Sequence, residues 1–228
     1  MQIELSYKNK TLSPASPVIG DQQELLVDQL HSPLYHTTRE GRVFSQTCTP
    51  VGLAIPIYSA TALAGGMPIW NPAGSGVKVV LLDYCAAYVS GTSVAAAFGL
   101  MARNGVGSVI ATGSQITAFA ETVPVNGRMG VVNAIAGTGG GEGSKVKSSN
   151  AGTVTVTAGV AAEFVQTMFG ESALIATTAM NPYAISFDFK GRIHVYPGTM
   201  VWVAGSAASG ALLAQTISWE EIDIATSA

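Results

Sequence analysis

The amino-acid sequence predicts an all-β protein, an antiparallel β-sandwich preceded by an extended N-terminal arm that contains one short helix. Two observations predict the sandwich. From residue 42 onward, short apolar runs are separated about every 8 to 15 residues by Gly, Pro, Asn and Ser, a pattern typical of sandwiches and barrels. Helical periodicity is weak after residue 31, which argues against the long helical crossovers of α/β folds.

Residues 1–42 form the predicted arm, because they combine short polar clusters, three prolines and few β-branched runs. Within the arm, Asp21 is followed three residues later by Glu24 and then by an apolar stripe at helical spacing. An acidic N-cap with a carboxylate three residues on is a helix-start signal. We therefore expect one short helix over 21–30, whose apolar face needs a surface on the main body or on a neighbouring subunit.

The rest of the chain, 43–228, is predicted to be a single sandwich domain. Thr and Val alternate strictly over 153–157, so one face of that strand is polar. The glycine-rich run 137–144 is predicted to be a flexible, exposed loop. The candidate strands, in chain order, are 42–47, 52–58, 67–70, 77–89, 94–103, 128–136, 153–168, 173–178, 183–189, 192–196, 200–205 and 212–224.

The composition predicts a subunit of an assembly. Hydrophobic residues make up 48% of the chain and charged residues only 11%, whereas an average soluble domain has about 25% charged residues. The surface of an unassociated protein needs roughly 25–35% charged residues to stay soluble. We infer that much of this surface faces other protein.

Charge and hydropathy also exclude some partners. A net charge of -3 and a pI near 5.5 give no field to hold nucleic acid. The uncharged run 84–102 approaches the length of a membrane span, but Ser-Gly-Thr-Ser at 90–93 interrupts it, so we predict two strands joined by a turn and no membrane partner. The N-terminus lacks the basic and apolar regions of a secretory signal.

No cofactor or metal site is expected. Cys48 and Cys85 lie far apart with no ligand-type neighbour, and both are predicted to be buried free thiols. His194 stands in an alternating strand without a second ligand at metal spacing. We interpret it as a solvated or interface histidine.

Three patterns resemble catalytic motifs, and none of them predicts an enzyme. Residues 91–97 (GTSVAAA) resemble the serine segment of subtilisin-like proteases, but the proline of that segment and the family's histidine and aspartate segments are missing, and a serine nucleophile needs a base and an orienting acid. The glycine run meets neither phosphate-loop nor dinucleotide spacing. Glu220, Glu221 and Asp223 alternate between strand faces, and we interpret them as a charged strand that protects a sheet edge.

Two parts of the sequence carry a family resemblance. Residues 70–82 (WNPAGSGVKVVLL) and the ending with 195–199 (VYPGT) and 217–222 (ISWEEI) resemble jelly-roll trimeric cement, or decoration, proteins of tailed bacteriophage heads. The resemblance implies a jelly-roll-like sandwich, although another Greek-key sandwich predicts nearly the same strands. It also implies a homotrimer on the outer capsid surface, made in the host cytoplasm. The major capsid protein would be its partner, and an N-terminal extension would clamp adjacent capsomers.

The arm supplies the predicted capsid contacts, the apolar side chains of Leu12, Val18, Leu25, Leu26 and Leu30. One alternative is a head-fibre, tail or baseplate component, or a receptor-binding module, on the same fold. Two other hypotheses remain. The chain is a major capsid protein, or it is a polysaccharide hydrolase that pairs carboxylates from distant strands.

Overall fold

The computed structural model describes residues 34–111, 114–127, 143–150, 153–157, 162–171 and 184–224. The chain divides into two compact units, Met1–His36 and Thr37–Ala228. A five-residue helix, α1, spans Tyr35–Arg39. The helix predicted over 21–30, and the predicted arm up to residue 33, lie outside the described residues.

Almost all regular structure in the described residues is β. A single 3-10 turn spans Ala64–Gly66. The strands are β1 (Val43–Thr47), β2 (Ile69–Asn71), β3 (Val77–Ser90), β4 (Ala96–Asn104), β5 (Ile116–Phe119), β6 (Val125–Asn126), β7 (Lys147–Ser148), β8 (Val154–Val156), β9 (Glu163–Glu171), β10 (Ala184–Asp188), β11 (His194–Val195), β12 (Thr199–Gly205) and β13 (Leu212–Asp223).

Eight principal strands form two antiparallel sheets with the strand order of a jelly roll. The first sheet runs β10–β3–β13–β1, with β11 continuing the β10 edge, and the second runs β2–β12–β4–β9. The pairing is nested: the first principal strand lies beside the last, and the second beside the next to last, as in the two Greek keys of a jelly roll. The predicted all-β, jelly-roll-like antiparallel sandwich is confirmed.

The long connection from β4 to β9 adds to both sheets at one side. Its strand β6 pairs with β1, and its strand β7 pairs with β2. Two further strands of the connection, β5 and β8, pair with each other in a separate two-stranded sheet. Both edges on this side of the sandwich are therefore covered, which removes two unpaired strand edges.

Two hydrophobic clusters follow from this arrangement. The cluster between the two sheets contains Val201 and Val203 of β12, together with Trp219 of β13. The alternate β12 residues Met200 and Trp202 belong to the second cluster, which lies against β5 and β8. Strand β12 is thus buried on both faces, and its continuous apolar run is the pattern expected of such a strand.

Four strand predictions differ from the structure or lie outside it. Residues 52–58 make isolated bridges at Leu53 and Ile57 instead of a strand, because Pro56 has no N–H group to donate to a ladder. The candidate 153–168 contains two strands in different layers, since β8 pairs with β5 and β9 with β4. Candidates 128–136 and 173–178 lie outside the described residues.

The prediction that both cysteines are buried is wrong for Cys85. Cys48 is buried and Cys85 is exposed, and both are free thiols. Tyr84 and Ala86 point into the core, so strand alternation turns Cys85 outward. The sequence did not show which face of β3 Cys85 lies on, because outward positions of β3 also carry short uncharged side chains such as Ala87.

The interpretation of 220–223 as an edge-protecting strand is also wrong. Strand β13 pairs with β1 on one side and with β3 on the other, so it is a central strand. Glu220 and Glu221 are only 9% and 6% exposed. Buried carboxylates in a central strand need partners, and those partners define the site described next.

Candidate functional site

The space between the two sheets is filled with side chains. Phe44, Leu81, Phe98, Leu100 and Trp219 are among its residues, each at most 3% exposed. The rings of Tyr84 and Phe169 stack with their centroids 6.2 Å apart. The rings of Phe44 and Trp219 stack with their centroids 6.1 Å apart. Function must therefore lie on the outside of the sandwich.

An open cleft of about 360 Å³ lies at the end of the sandwich where β1 begins and β13 ends. Residues from three strands and from the connection between β6 and β7 meet there. The lining residues are Glu40, Gly41, Arg42, Phe44, Val77, Gly143, Lys145, Glu221 and Asp223.

Glu221 is the buried centre of the cleft. Its carboxylate accepts hydrogen bonds from the Ser144 hydroxyl, from the Lys145 backbone N–H at 2.9 Å and from Trp219 Nε1 at 3.2 Å. Burial raises the pKa of Glu221, and these three donors and the nearby Lys145 ammonium oppose the rise. The hydrogen bonds tie the segment 143–146 to the central strand β13.

The other charges of the cleft are paired with one another. Arg42 Nη2 lies 3.0 Å from Glu40 Oε2 and 3.6 Å from Glu220 Oε1. Lys145 Nζ lies 2.7 Å from Asp223 Oδ1. Burial also raises the pKa of Glu220, which the Arg42 charge partly offsets. These partners occupy the carboxylates, so the arrangement anchors a segment and offers no base aimed at a nucleophile.

The raised pKa of Glu221 predicts how its contribution to the free energy of unfolding depends on pH. Its pKa in the folded protein exceeds that in the unfolded chain, so the folded state binds the proton more tightly. The contribution of this group to the free energy of unfolding is thus greatest below about pH 4 and falls as the pH rises through the raised pKa. We expect the difference in free energy of unfolding, wild type minus Glu221→Gln, to decrease from pH 4 to pH 7 in urea titrations.

Asp223→Asn is the matched control, with the opposite sign. The hydrogen bond and charge of Lys145 lower the pKa of Asp223, so its contribution is present above the ordinary pKa and is lost as the pH falls. The difference in free energy of unfolding, wild type minus Asp223→Asn, should rise with pH. The rise should be small because Asp223 is exposed. A Glu221→Gln difference that also rises with pH would contradict the assignment.

A second buried polar residue, Asn71, joins the segment 70–82 to the segment 195–199. Asn71 is fully buried, and its Nδ2 donates to the backbone oxygens of Val77 and Val195, both at 2.9 Å. Its Oδ1 accepts from the Ser75 hydroxyl at 2.6 Å, and its backbone oxygen accepts from Gly198 N at 2.7 Å. Asn71 therefore holds the turn after β2 against the turn before β12.

Three rows of short side chains cross the outer face of the first sheet. Register places Thr47, Thr216, Cys85 and Ser186 in one row across four strands. The Thr47 and Thr216 hydroxyls are 3.1 Å apart, and Cys85 Sγ lies 3.5 Å from Ser186 Oγ. The neighbouring rows contain Ala214, Ala87 and Ala184 on one side and Ser45, Ser218, Asp83 and Asp188 on the other.

We call this surface the short-side-chain face, defined by the residues of these three rows. Asp83 and Asp188 are its charged members, and Ser218 Oγ donates to Asp83 Oδ1 at 3.1 Å. Long, mobile side chains are absent from the three rows, so little side-chain entropy would be lost on covering the face.

Residues singled out in the sequence occupy ordinary structural positions. Ser93 is 1% exposed, in the connection between β3 and β4, so a substrate does not reach it. His194 is exposed, with Nε2 3.1 Å from the Gly191 oxygen. The predicted capsid contacts Leu12, Val18, Leu25, Leu26 and Leu30 lie outside the described residues.

The described ranges contain no group of three or more His, Cys, Asp or Glu side chains that could hold a metal ion. In the same part of the chain, no helix has the length and apolar character needed to cross a membrane. Sequence reasoning missed the roles of Asn71 and Glu221, since neither residue type nor spacing distinguishes them from turn and surface residues.

The comparisons with known proteins add no relative: the chain matches no protein family, no curated protein and no solved structure.

Proposed function

We propose that this chain is a structural virion protein, a capsid cement or decoration protein that binds the outer surface of a phage head as a homotrimer. It would stabilise the contacts between capsomers of the major capsid protein. The jelly-roll strand order supports the proposal because viral capsid domains use this architecture, as do lectins and cupins. The fold alone does not decide between those classes, so the surfaces carry the argument.

The short-side-chain face is the observation that favours a protein partner. A sheet face with Ser, Thr, Ala and Cys in three aligned rows has neither the cation cluster that binds nucleic acid nor the converging aromatic and polar groups of a small-molecule pocket. It can be covered by another protein surface without burying a large number of unpaired charges. The filled interior between the sheets points the same way.

The arm supplies reach in this proposal. Residues 1–33 precede the described body, and an extended chain spans at most about 3.3–3.6 Å per residue, so an arm of this length could cross a capsomer boundary. We assign its shell contacts to Leu12, Val18, Leu25, Leu26 and Leu30. Each contact that removes 500 Å² of apolar surface from water would contribute on the order of 10 kcal/mol before ordering costs.

The proposal is tested by co-sedimentation of the purified protein with heads of the phage whose genome encodes it. We expect the full-length chain to sediment with the heads and a chain lacking residues 1–30 to stay in the supernatant while its β body remains folded by circular dichroism. Full occupancy by the truncated chain would contradict the role of the arm. No sedimentation of either chain would overturn the proposed function.

A further inference from the structure

Three connecting segments meet at the end of the sandwich opposite the charged cleft. The first follows β1, and its Leu53 pairs with Leu213 through two backbone hydrogen bonds of 2.9 and 3.0 Å. The second segment joins β3 to β4, and the third joins β12 to β13. Two hydrogen bonds connect them: Ser206 N donates to the Ala97 oxygen at 2.8 Å, and Ala97 N donates to Ser206 Oγ at 2.9 Å. Tyr58 N of the first segment also donates to the Gly205 oxygen of the third at 3.0 Å, so the three segments are held together.

We call this surface the neutral end, defined as residues 48–62, 89–97 and 205–212. Its sequence contains no Asp, Glu, Lys, Arg or His. Eight of its 32 residues are buried. A soluble surface has roughly 25–35% charged residues, so about 6 to 8 would be expected among the other 24. Glu171, whose backbone pairs with Ala96, borders this end from strand β9.

Large apolar side chains are exposed on the neutral end. Val51 is 68% exposed, Tyr58 55% and Val89 41%. The same three segments carry small uncharged residues that are also exposed, among them Thr92, Ala95 and Ala208. Large exposed apolar side chains on segments without a charged residue favour a contact between proteins.

The opposite end shows the contrasting composition. The ion pairs of Arg42 with Glu40 and Glu220, and of Lys145 with Asp223, are gathered there. In a further ion pair, Lys147 Nζ lies 3.1 Å from Glu121 Oε2. Lys147 belongs to β7, which pairs with β2. The ion pairs are therefore gathered at one end of the sandwich, whereas residues 48–62, 89–97 and 205–212 at the other end include no charged residue.

The lack of charge favours a second copy of this chain as the occupant. Around a symmetry axis the same residues of neighbouring copies come close together, so a charged residue there would face its own like charge, at a cost of several kcal/mol. A surface without charges avoids this repulsion in every copy. It also has the extent required, since a standard interface uses roughly 20–30 residues from each partner.

We propose that the neutral end is the contact through which copies of this chain associate. The inference rests on the proposed function only for the number of copies, a trimer. Val51, Tyr58 and Val89 are the side chains that neighbouring copies bury, and the charged end is left for solvent.

The test is the solution mass of the full chain by light scattering. We expect the wild type at three times 23.3 kDa and Val51→Asp at the mass of a single chain, because the new carboxylates would meet near the axis. Tyr58→Asp is the second variant and should act in the same way. Both side chains are more than half exposed, so the variants should keep the wild-type circular dichroism.

Val109→Asp is the matched control, since Val109 is 60% exposed but lies in the connection after β4, away from the neutral end. It should keep the wild-type mass. An unchanged mass for both Val51→Asp and Tyr58→Asp, or a wild type that is a single chain at all concentrations, would overturn the inference. Binding of heads is measured separately, so a failure here is distinguishable from a failure of the cement role.

Discussion

Replacing Asn71 with alanine is expected to lower the free energy of unfolding by about 3–5 kcal/mol, because buried polar groups left without partners each cost about 1–3 kcal/mol. The truncation removes the Nδ2 donor to the backbone oxygens of Val77 and Val195 and the nearer acceptor of the Ser75 hydroxyl, which keeps only a longer contact of 3.3 Å to the Val77 oxygen. Water cannot readily replace these partners, since Asn71 is fully buried. Urea unfolding followed by tryptophan fluorescence measures the loss.

Asn104→Ala is the matched control for the same chemical change. Asn104 is exposed at the end of β4 and accepts one hydrogen bond, from Thr199 Oγ1 at 3.0 Å. Its removal should cost less than about 1 kcal/mol. Equal losses for the two variants would show that Asn71 is not the junction between the turn after β2 and the turn before β12.

The sequence predicted those strands that pack one or both of their faces against a hydrophobic core. Strands β3, β4, β12 and β13 have long apolar or alternating runs bounded by Gly, Pro or Ser, and the period-two or continuous pattern follows from their burial. Strands β5, β6 and β7 were not predicted. β5 has four residues, and β6 and β7 have two each and pair with the edges of β1 and β2, which offer unpaired backbone groups.

Long-range pairing is what the sequence does not encode in any local pattern. Glu221 looks like a surface carboxylate until β13 is placed between β1 and β3 and Ser144 and Lys145 are brought against it. Cys85 looks buried until the parity of β3 is known. Both corrections depend on register and sheet position, which contacts distant in sequence determine.

The second large effect is expected for Gly65→Ala, which should lower the free energy of unfolding by about 3 kcal/mol or more, at the upper end of overpacking effects. A Cβ atom on Gly65 would lie 1.8 Å from the Ala54 oxygen and 2.8 Å from the Ala54 carbonyl carbon. Backbone atoms cannot rotate away as a side chain can. Either the 3-10 turn at Ala64–Gly66 or the segment at Ala54 must move, and urea unfolding measures the cost.

Neither movement is free, which is why a small effect is not expected. Leu53, next to Ala54, exchanges two backbone hydrogen bonds with Leu213, and the Gly65 oxygen accepts from Gln215 Nε2 at 3.1 Å. Gly170→Ala is the control, because its nearest neighbour would be the Ala96 oxygen at an ordinary 3.8 Å, and it should change stability by less than about 1 kcal/mol. If Gly65→Ala were as mild as this control, the segment 48–62 could shift at little cost, and the neutral end would lack the fixed shape that association between copies requires.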